Sequence, residues 1–391
     1  MKIAVVFEIF YPQVTGIITS AVNLAQNLRE QGHEAIFIAP ATPYFDRQEV
    51  DGGIPVRYIP SSYNWAYPGM RNVLPWSRAV DAVIGSEGVD AVHITGPWLL
   101  TLAAIRAARR RGIPVVHTFH TMLHEPSYIL YFVRYRALIP LMQWIAWWYY
   151  GIYVRRSTIN TGPSRMACRQ LRSHFPRADV RFISNGVDVE RFRHHASYEE
   201  LCRREPRFTP NSFLFVGRLG QEKSVDEVID AMAIVGRRIP DARLFIVGDG
   251  PYADRLRRQV RTLGLGGHVF FLGRVANAEL VSSGLIHHAV AFVTASTTEN
   301  QPMTVIEAIC CNTPVIVPEV EGITELVEEN GIRVRAHDVQ ALADAMSTMA
   351  TDRALRDRCV AAGPSMITRF DGRLVAERFL EVYREAGALQ E

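Results

Sequence analysis

Two carboxylates eight positions apart, Glu299 and Glu307, follow the apolar run Ala289–Val293 in the stretch Glu299-Asn300-Gln301-Pro302-Met303-Thr304-Val305-Ile306-Glu307. Pro302 suits the first turn of a helix. Glu299 then sits in the loop before that helix and Glu307 inside it, about two turns further on. Acids so placed can accept hydrogen bonds from a polyhydroxyl ligand lying along the helix start. The amides of Met303 and Thr304 and the helix dipole would there face an anion. The same spacing also occurs on solvated helix faces, so it calls for a second signal.

Arg218 and Lys223 supply one, in Phe215-Val216-Gly217-Arg218-Leu219-Gly220-Gln221-Glu222-Lys223. Two cations fixed in the loop after a strand can neutralise a diphosphate, the guanidinium through forked hydrogen bonds and the ammonium as a point charge. Standing alone, the loop would read as a solvated surface pair. A different candidate is set aside. Gly248-Asp249-Gly250-Pro251-Tyr252-Ala253 satisfies G-x-G-x-x-A, but about 20 residues on, where the ribose-binding acid of a dinucleotide site belongs, stand Phe271-Leu272-Gly273. A dehydrogenase is disfavoured.

Such loops need strands to carry them. β-Branched-rich runs expected to be buried parallel strands are Ile3–Phe7, Ala35–Ala39, Val89–Ile94 and Pro114–Phe119 in the first half. In the second half they are Phe213–Val216, Arg243–Val247, His268–Leu272, Ala289–Val293 and Pro314–Val317. Helix-period segments alternate with them: Thr19–Gln31, Trp98–Arg111, Val225–Arg238 and Tyr252–Leu263. Alternating βαβ units imply an α/β fold with parallel sheets and helices on both faces. Residues 2–40 and 212–250 share the order strand, glycine-containing loop, helix, strand, which indicates a duplicated architecture. A domain boundary is expected near residues 186–210, where the charged stretch Glu190–Thr209 has no strand pattern. The final helix, Gly372–Ala386, has Leu374, Val375, Phe379, Val382 and Tyr383 at helical spacing.

The 391 residues are 48% apolar and 21% charged, material for two cores. The net charge of +3, with acids matching bases along the chain, argues against a dedicated nucleic-acid binder. Five scattered cysteines form no CxxC pair and fit a reducing compartment. The opening run is broken by Glu8, too short and acidic for a signal peptide. No window reaches the roughly 18 apolar residues of a spanning helix. The expected location is the cytoplasm, or the inner face of the cell membrane as a peripheral protein.

In order along the chain stand Asn185-Gly186-Val187-Asp188, G-R-L-x-x-E-K at Gly217–Lys223, V-G-D-G-P at Val247–Pro251, F-L-G-R-V at Phe271–Val275, and E-x7-E ending in Ala308. Together these resemble the retaining GT-B glycosyltransferases of family 4, over essentially the whole chain. The resemblance implies two Rossmann-like domains with parallel sheets facing across a cleft: an acceptor-binding domain, 1–187, and a nucleotide-sugar-binding domain, 188–371. A C-terminal helix, 372–391, would cross back to the first. It also implies that Arg218 and Lys223 bind the donor diphosphate, helped by the Met303 and Thr304 amides. Glu299 would hold the donor sugar and Glu307 the ribose. Arg274 and Val275 would lie beside the base, Gly16 would let the backbone approach the phosphate, and His120 would contact the transferred sugar. Departures from the family pattern are Thr15-Gly16 where Gly-Gly is usual, Ser224 where a glycine follows the lysine, and Asn300-Gln301-Pro302 where a glycine-containing stretch follows the first glutamate.

The expected chemistry is transfer of a hexose from a UDP-, GDP- or ADP-sugar with retention, the leaving phosphate taking the acceptor's proton. No cofactor and no metal is required, since two cations stand where a metal would, and no Asp-x-Asp motif is present. Residues 128–156 mix aromatic and aliphatic side chains with Arg134, Arg136, Arg155 and Arg156, which suits an anionic membrane surface. Phe119-His120-Thr121-Met122 is similar to diacylglycerol glycosyltransferases of this family, so the expected acceptor is a lipid such as diacylglycerol or a glycolipid. The same aromatics would otherwise serve as core or as a dimer interface. Alternatives are a soluble sugar or polysaccharide acceptor, a non-catalytic carbohydrate-binding protein, and a nucleotide-sugar epimerase or phosphorylase.

Overall fold

The computed structural model describes the chain except residues 12–14, 44, 51, 65–69, 134 and 389–391. It divides into two compact units, Met1–Val187 with Asp371–Glu391, and Asp188–Phe370.

The strands of the first unit are β1 (Lys2–Val6), β2 (Glu34–Pro40), β3 (Glu49–Val50), β4 (Ile54–Ile59), β5 (Ser62–Tyr63), β6 (Arg71–Asn72), β7 (Ala91–Ile94), β8 (Val115–Thr118), β9 (Ile159–Gly162) and β10 (Val180–Phe182). Eight form one sheet in the order β10-β9-β8-β7-β1-β2-β4-β3, parallel except for the β3–β4 pair; β5 and β6 make a separate hairpin. Ile3, Ala4, Val5 and Val6 are all fully buried because helices cover both faces of the sheet, which is why β1 is a continuous apolar run. The helix Gly16–Glu30 starts behind Thr15, whose Oγ1 accepts from the Ile18 amide at 3.4 Å.

The helix Gly372–Glu385 packs against Gly16–Glu30, burying Val375, Ala376, Phe379, Leu380 and Tyr383 in the cluster that holds Ile3 and Val5. The crossing needs two glycines. A Cβ on Gly372 would stand 2.5 Å from Asn27 Nδ2, and one on Gly186 would stand 3.0 Å from Gly372 Cα. Asn23 Nδ2 donates to the Gly186 carbonyl at 3.1 Å, and Ser20 Oγ to Asn185 Oδ1 at 2.9 Å. The Asn185-Gly186 element therefore fastens this crossing. Deeper in, the Tyr383 hydroxyl lies 2.7 Å from His93 Nδ1, and His93 Nε2 lies 2.7 Å from Thr118 Oγ1, so the helix is tied to the sheet by a buried polar chain.

The second unit has β11 (Ser212–Val216), β12 (Arg243–Val247), β13 (Val269–Gly273), β14 (Ala291–Val293), β15 (Val315–Pro318) and β16 (Gly331–Val334), all parallel, in the order β13-β12-β11-β14-β15-β16. The direction of winding reverses between β11 and β14. Open α/β sheets take ligands beyond the carboxyl ends of the strands at such a reversal, because the two following loops splay apart there. In the first unit the reversal falls between β1 and β7.

Candidate active site

The two loops at the reversal of the second unit carry the charged motifs. After β11 the chain makes a short turn, Gln221–Lys223; after β14 it runs to the helix Met303–Cys310. The Glu222 carbonyl accepts from the Thr297 amide at 3.2 Å and Ser296 Oγ at 3.3 Å, which locks one loop to the other. Lys223 Nζ then makes a short hydrogen-bonded ion pair with Glu299 Oε1. Both side chains are mostly buried, 22% and 15% exposed, so the pair is less screened than a surface one. Arg218 is more open and pairs with Glu222 at 2.6 Å. That contact occupies one Nη2 donor and leaves the remaining guanidinium donors to face a ligand.

Ser224, directly after the lysine, has φ 46° and ψ 41°. This left-handed conformation is the physical reason a glycine is the usual residue there, and Ser224 carries the strain. Pro302 is the cap residue of the following helix, one position earlier than the helical first turn read from the sequence. Among the described residues the Met303 and Thr304 amides have no hydrogen-bond partner and no side chain caps that helix start. They remain available to an anion.

Glu307 is not joined to Glu299. It is 4% exposed, and Oε1 accepts from Asn277 Nδ2 at 2.9 Å. Burial pushes its carboxyl up to about 7, against the opposing pull of Asn277 and the more distant Arg191. Arg274 is exposed, 3.6 Å from Asp249, and Val275 beside it is half-buried. The glycines of V-G-D-G-P serve packing. A Cβ on Gly248 would overlap the Gly217 carbonyl oxygen, and one on Gly250 would stand 2.5 Å from the Leu219 carbonyl, so this pair brings the β12 loop against the β11 loop. The roles of Asn277 and Asp249 escape a sequence reading, because each acts on a residue that only the fold brings near.

In the first unit His120 follows β8 and is half-buried, its imidazole held well below the ordinary histidine range, at about 3, by burial first and His117 second. It is a neutral hydrogen-bonding group. Gly16 is the exposed first residue of its helix; Pro12, Gln13 and Val14 of the same motif lie outside the described residues. The aromatic segment splits by face. On the helix Ile139–Val154, Tyr150 and Tyr153 are fully buried, whereas Leu141, Trp144, Ile145 and Trp148, spaced by three and four, are exposed. Arg136, Arg155 and Arg156 are exposed too; Arg134 lies outside the described residues.

Two α/β units, each built on a mainly parallel sheet, are the architecture of the two-domain GT-B fold. Residues 14–191 match the family model described as Glycosyltransferase Family 4, and residues 199–366 the one described as Glycosyl transferases group 1. A GDP-mannose-dependent alpha-mannosyltransferase of Mycobacterium tuberculosis is 32% identical over 84% of this chain and 81% of its own. A phosphatidyl-myo-inositol mannosyltransferase of the same species is 28% identical over 98% and 96%. An alpha-monoglucosyldiacylglycerol synthase of Streptococcus pneumoniae is 28% identical over 81% and 70%. Among solved structures, Anabaena HepE in complex with UDP and glucose superposes with a TM-score of 0.79 at 20% identity, covering 98% of this chain and all of that one. The chain belongs to the family 4, group 1 glycosyltransferases, and its reaction is glycosyl transfer.

Proposed function

We propose that the enzyme moves a hexose from a UDP-, GDP- or ADP-sugar to a hydroxyl of a membrane lipid, such as diacylglycerol or a glycolipid, with retention and without a metal. The observation that carries this is the Lys223–Glu299 pair at the winding reversal of the second unit. As the bond from sugar to diphosphate breaks, negative charge grows on the phosphate oxygens. Lys223, Arg218 and the Met303 and Thr304 amides are preorganised to stabilise it. Glu299, oriented by Lys223, accepts from hydroxyls of the transferred sugar, and Glu307 from those of the ribose, with Arg274 and Val275 beside the base. His120 contacts the transferred sugar as a neutral group, and Gly16 admits a phosphate. The attacking hydroxyl forms its bond to the anomeric carbon on the face the diphosphate leaves, and its proton passes to the departing phosphate.

The lipid acceptor is supported by two relatives named for diacylglycerol and phosphatidylinositol chemistry, and by the exposed stripe on Ile139–Val154. Trp144 and Trp148, 66% and 59% exposed, would enter the membrane boundary, with Arg136, Arg155 and Arg156 meeting anionic head groups. The enzyme would then act as a peripheral protein at the inner face of the cell membrane. Among the described residues no helix is long and apolar enough to cross a membrane.

The test has two stages. UDP-, GDP- and ADP-sugars are screened for thermal stabilisation, and the stabilising donor is incubated with vesicles containing diacylglycerol or with soluble sugars, the products being identified by mass and anomeric configuration. An α-linked glycolipid from an α-linked donor, formed in the presence of a chelator, is expected. Product only on soluble sugars would refute the lipid acceptor, and inversion would refute retention. Trp144→Ser with Trp148→Ser should weaken sedimentation with anionic vesicles by at least about tenfold, since each buried aromatic contributes roughly 1.5–3 kcal/mol.

A further inference from the structure

The winding reversal of the first unit holds a buried acid that the mechanism above does not use. Glu8 lies in the loop after β1 and is 6% exposed. Its Oε1 accepts from the Thr101 amide at 3.1 Å, in the first turn of the helix Leu99–Arg110 that follows β7. Oε2 has no hydrogen-bond partner among the described residues and is not sealed off. A Cβ on Gly96 would stand 3.3 and 3.5 Å from Cδ1 and Nε1 of Trp98 and 3.6 Å from Oε2, so the indole edge and the carboxyl both border the space that a side chain there would fill. A buried carboxyl with one oxygen idle is costly unless something bonds it.

Its surroundings also fix where the proton sits. In the neutral carboxyl the amide donor makes Oε1 the carbonyl oxygen and leaves the proton to Oε2. Among the described residues no cation acts on Glu8: burial pushes it up to about 8, opposed by Thr101 and its own amide. The other groups that feel its charge are Tyr149 and Tyr153, both pushed up chiefly by burial, with Arg106 acting on Tyr153. The Tyr149 and Tyr153 hydroxyls lie 2.9 Å apart, and Tyr153 donates to the Trp98 carbonyl at 3.0 Å. Both tyrosines belong to the helix whose opposite face carries Trp144 and Trp148.

We propose that Glu8 binds the acceptor: its neutral Oε2–H donates to an oxygen next to the attacking hydroxyl, an ester or hydroxyl oxygen in a glycerol head and a ring hydroxyl in a sugar. Glu8 takes no proton in the reaction. The assignment rests on the reading that this enzyme glycosylates a hydroxyl-bearing acceptor.

The test is steady-state transfer by wild type, Glu8→Ala, Glu8→Gln and Gly96→Ala, with diacylglycerol vesicles in one arm and free glycerol or a methyl glucoside in the other. The arm in which KM responds identifies the source of the oxygen. Glu8→Ala should raise the acceptor KM on the order of 5–10-fold. Thermal stabilisation by the nucleoside diphosphate should stay unchanged. Glu8→Gln keeps both an acceptor for Thr101 and a donor, so it should restore KM and abolish the loss of acceptor binding that wild type shows as pH rises through about 8. Gly96→Ala, which leaves the Thr101 contact intact, should raise KM by itself. Wild-type acceptor KM in Glu8→Ala and Gly96→Ala, or a Gln variant no better than Ala, overturns the assignment while leaving the transferase reading in place. Absence of transfer by wild type to either acceptor class would overturn both.

Discussion

Replacing Glu8 by glutamine should stabilise the first unit, and by an amount that grows with pH. The unfolded chain releases this proton near the ordinary value of 4.5, whereas the folded chain holds it to about 8. A folded value raised in this way leaves stability intact below the unfolded value and removes it as pH climbs toward the folded one. Between about pH 5 and 7 the folded protein retains the proton and the unfolded protein loses it, a difference of roughly 2–3 kcal/mol at 1.36 kcal/mol per unit. Glutamine keeps the Thr101 contact and titrates in neither state. All six tryptophans fall within Met1–Val187, so tryptophan fluorescence during urea unfolding reports on this unit selectively. The stability gap between Glu8→Gln and wild type should be small near pH 5 and reach a few kcal/mol by pH 7. A gap that stays flat across that range would refute the buried, uncompensated acid. A measured gap would make Glu8 a costly residue to keep, as expected where function and stability conflict.

Ser224→Gly should relieve the left-handed strain of about 1–2 kcal/mol, less the roughly 0.5–1 kcal/mol that glycine adds in chain entropy. A small rise in the melting temperature of the nucleotide-bound enzyme is expected, and a fall would contradict that backbone geometry. Tyr383→Phe leaves the buried His93 Nδ1 without its partner and should cost about 1–3 kcal/mol, read as faster proteolysis of the C-terminal helix. Unchanged proteolysis would show that the polar chain adds nothing to docking.

Strands covered on both faces were legible as unbroken apolar runs, and Arg243–Val247 and Val225–Arg238 are found with the bounds read from the sequence. β9 was not legible, because Asn160 and Thr161 interrupt its apolar pattern. They are tolerated inside because Asn160 Oδ1 meets His117 Nδ1 at 3.0 Å and Thr161 meets Thr118 at 2.7 Å, pairings that exist only across strands. The charged motif residues stood out by type and spacing, and family resemblance added Gly16, His120, Arg274 and Val275. Neither route could find Asn277 beside Glu307 or Thr101 beside Glu8, whose partners are 30 and 93 positions away. The aromatic segment was read as membrane surface or as core, and the folded helix has one face of each kind.

The central claim, that Lys223 and Glu299 together grip the activated sugar, is tested most directly by single-turnover transfer from a radiolabelled donor with purified Lys223→Ala and Glu299→Ala at saturating donor. Both should fold, melting somewhat below wild type because each leaves its partner's charge unpaired, and transfer label at least 100-fold more slowly at a temperature where both remain folded, about 2.7 kcal/mol of lost transition-state stabilisation. Near-wild-type turnover in either variant would contradict the account.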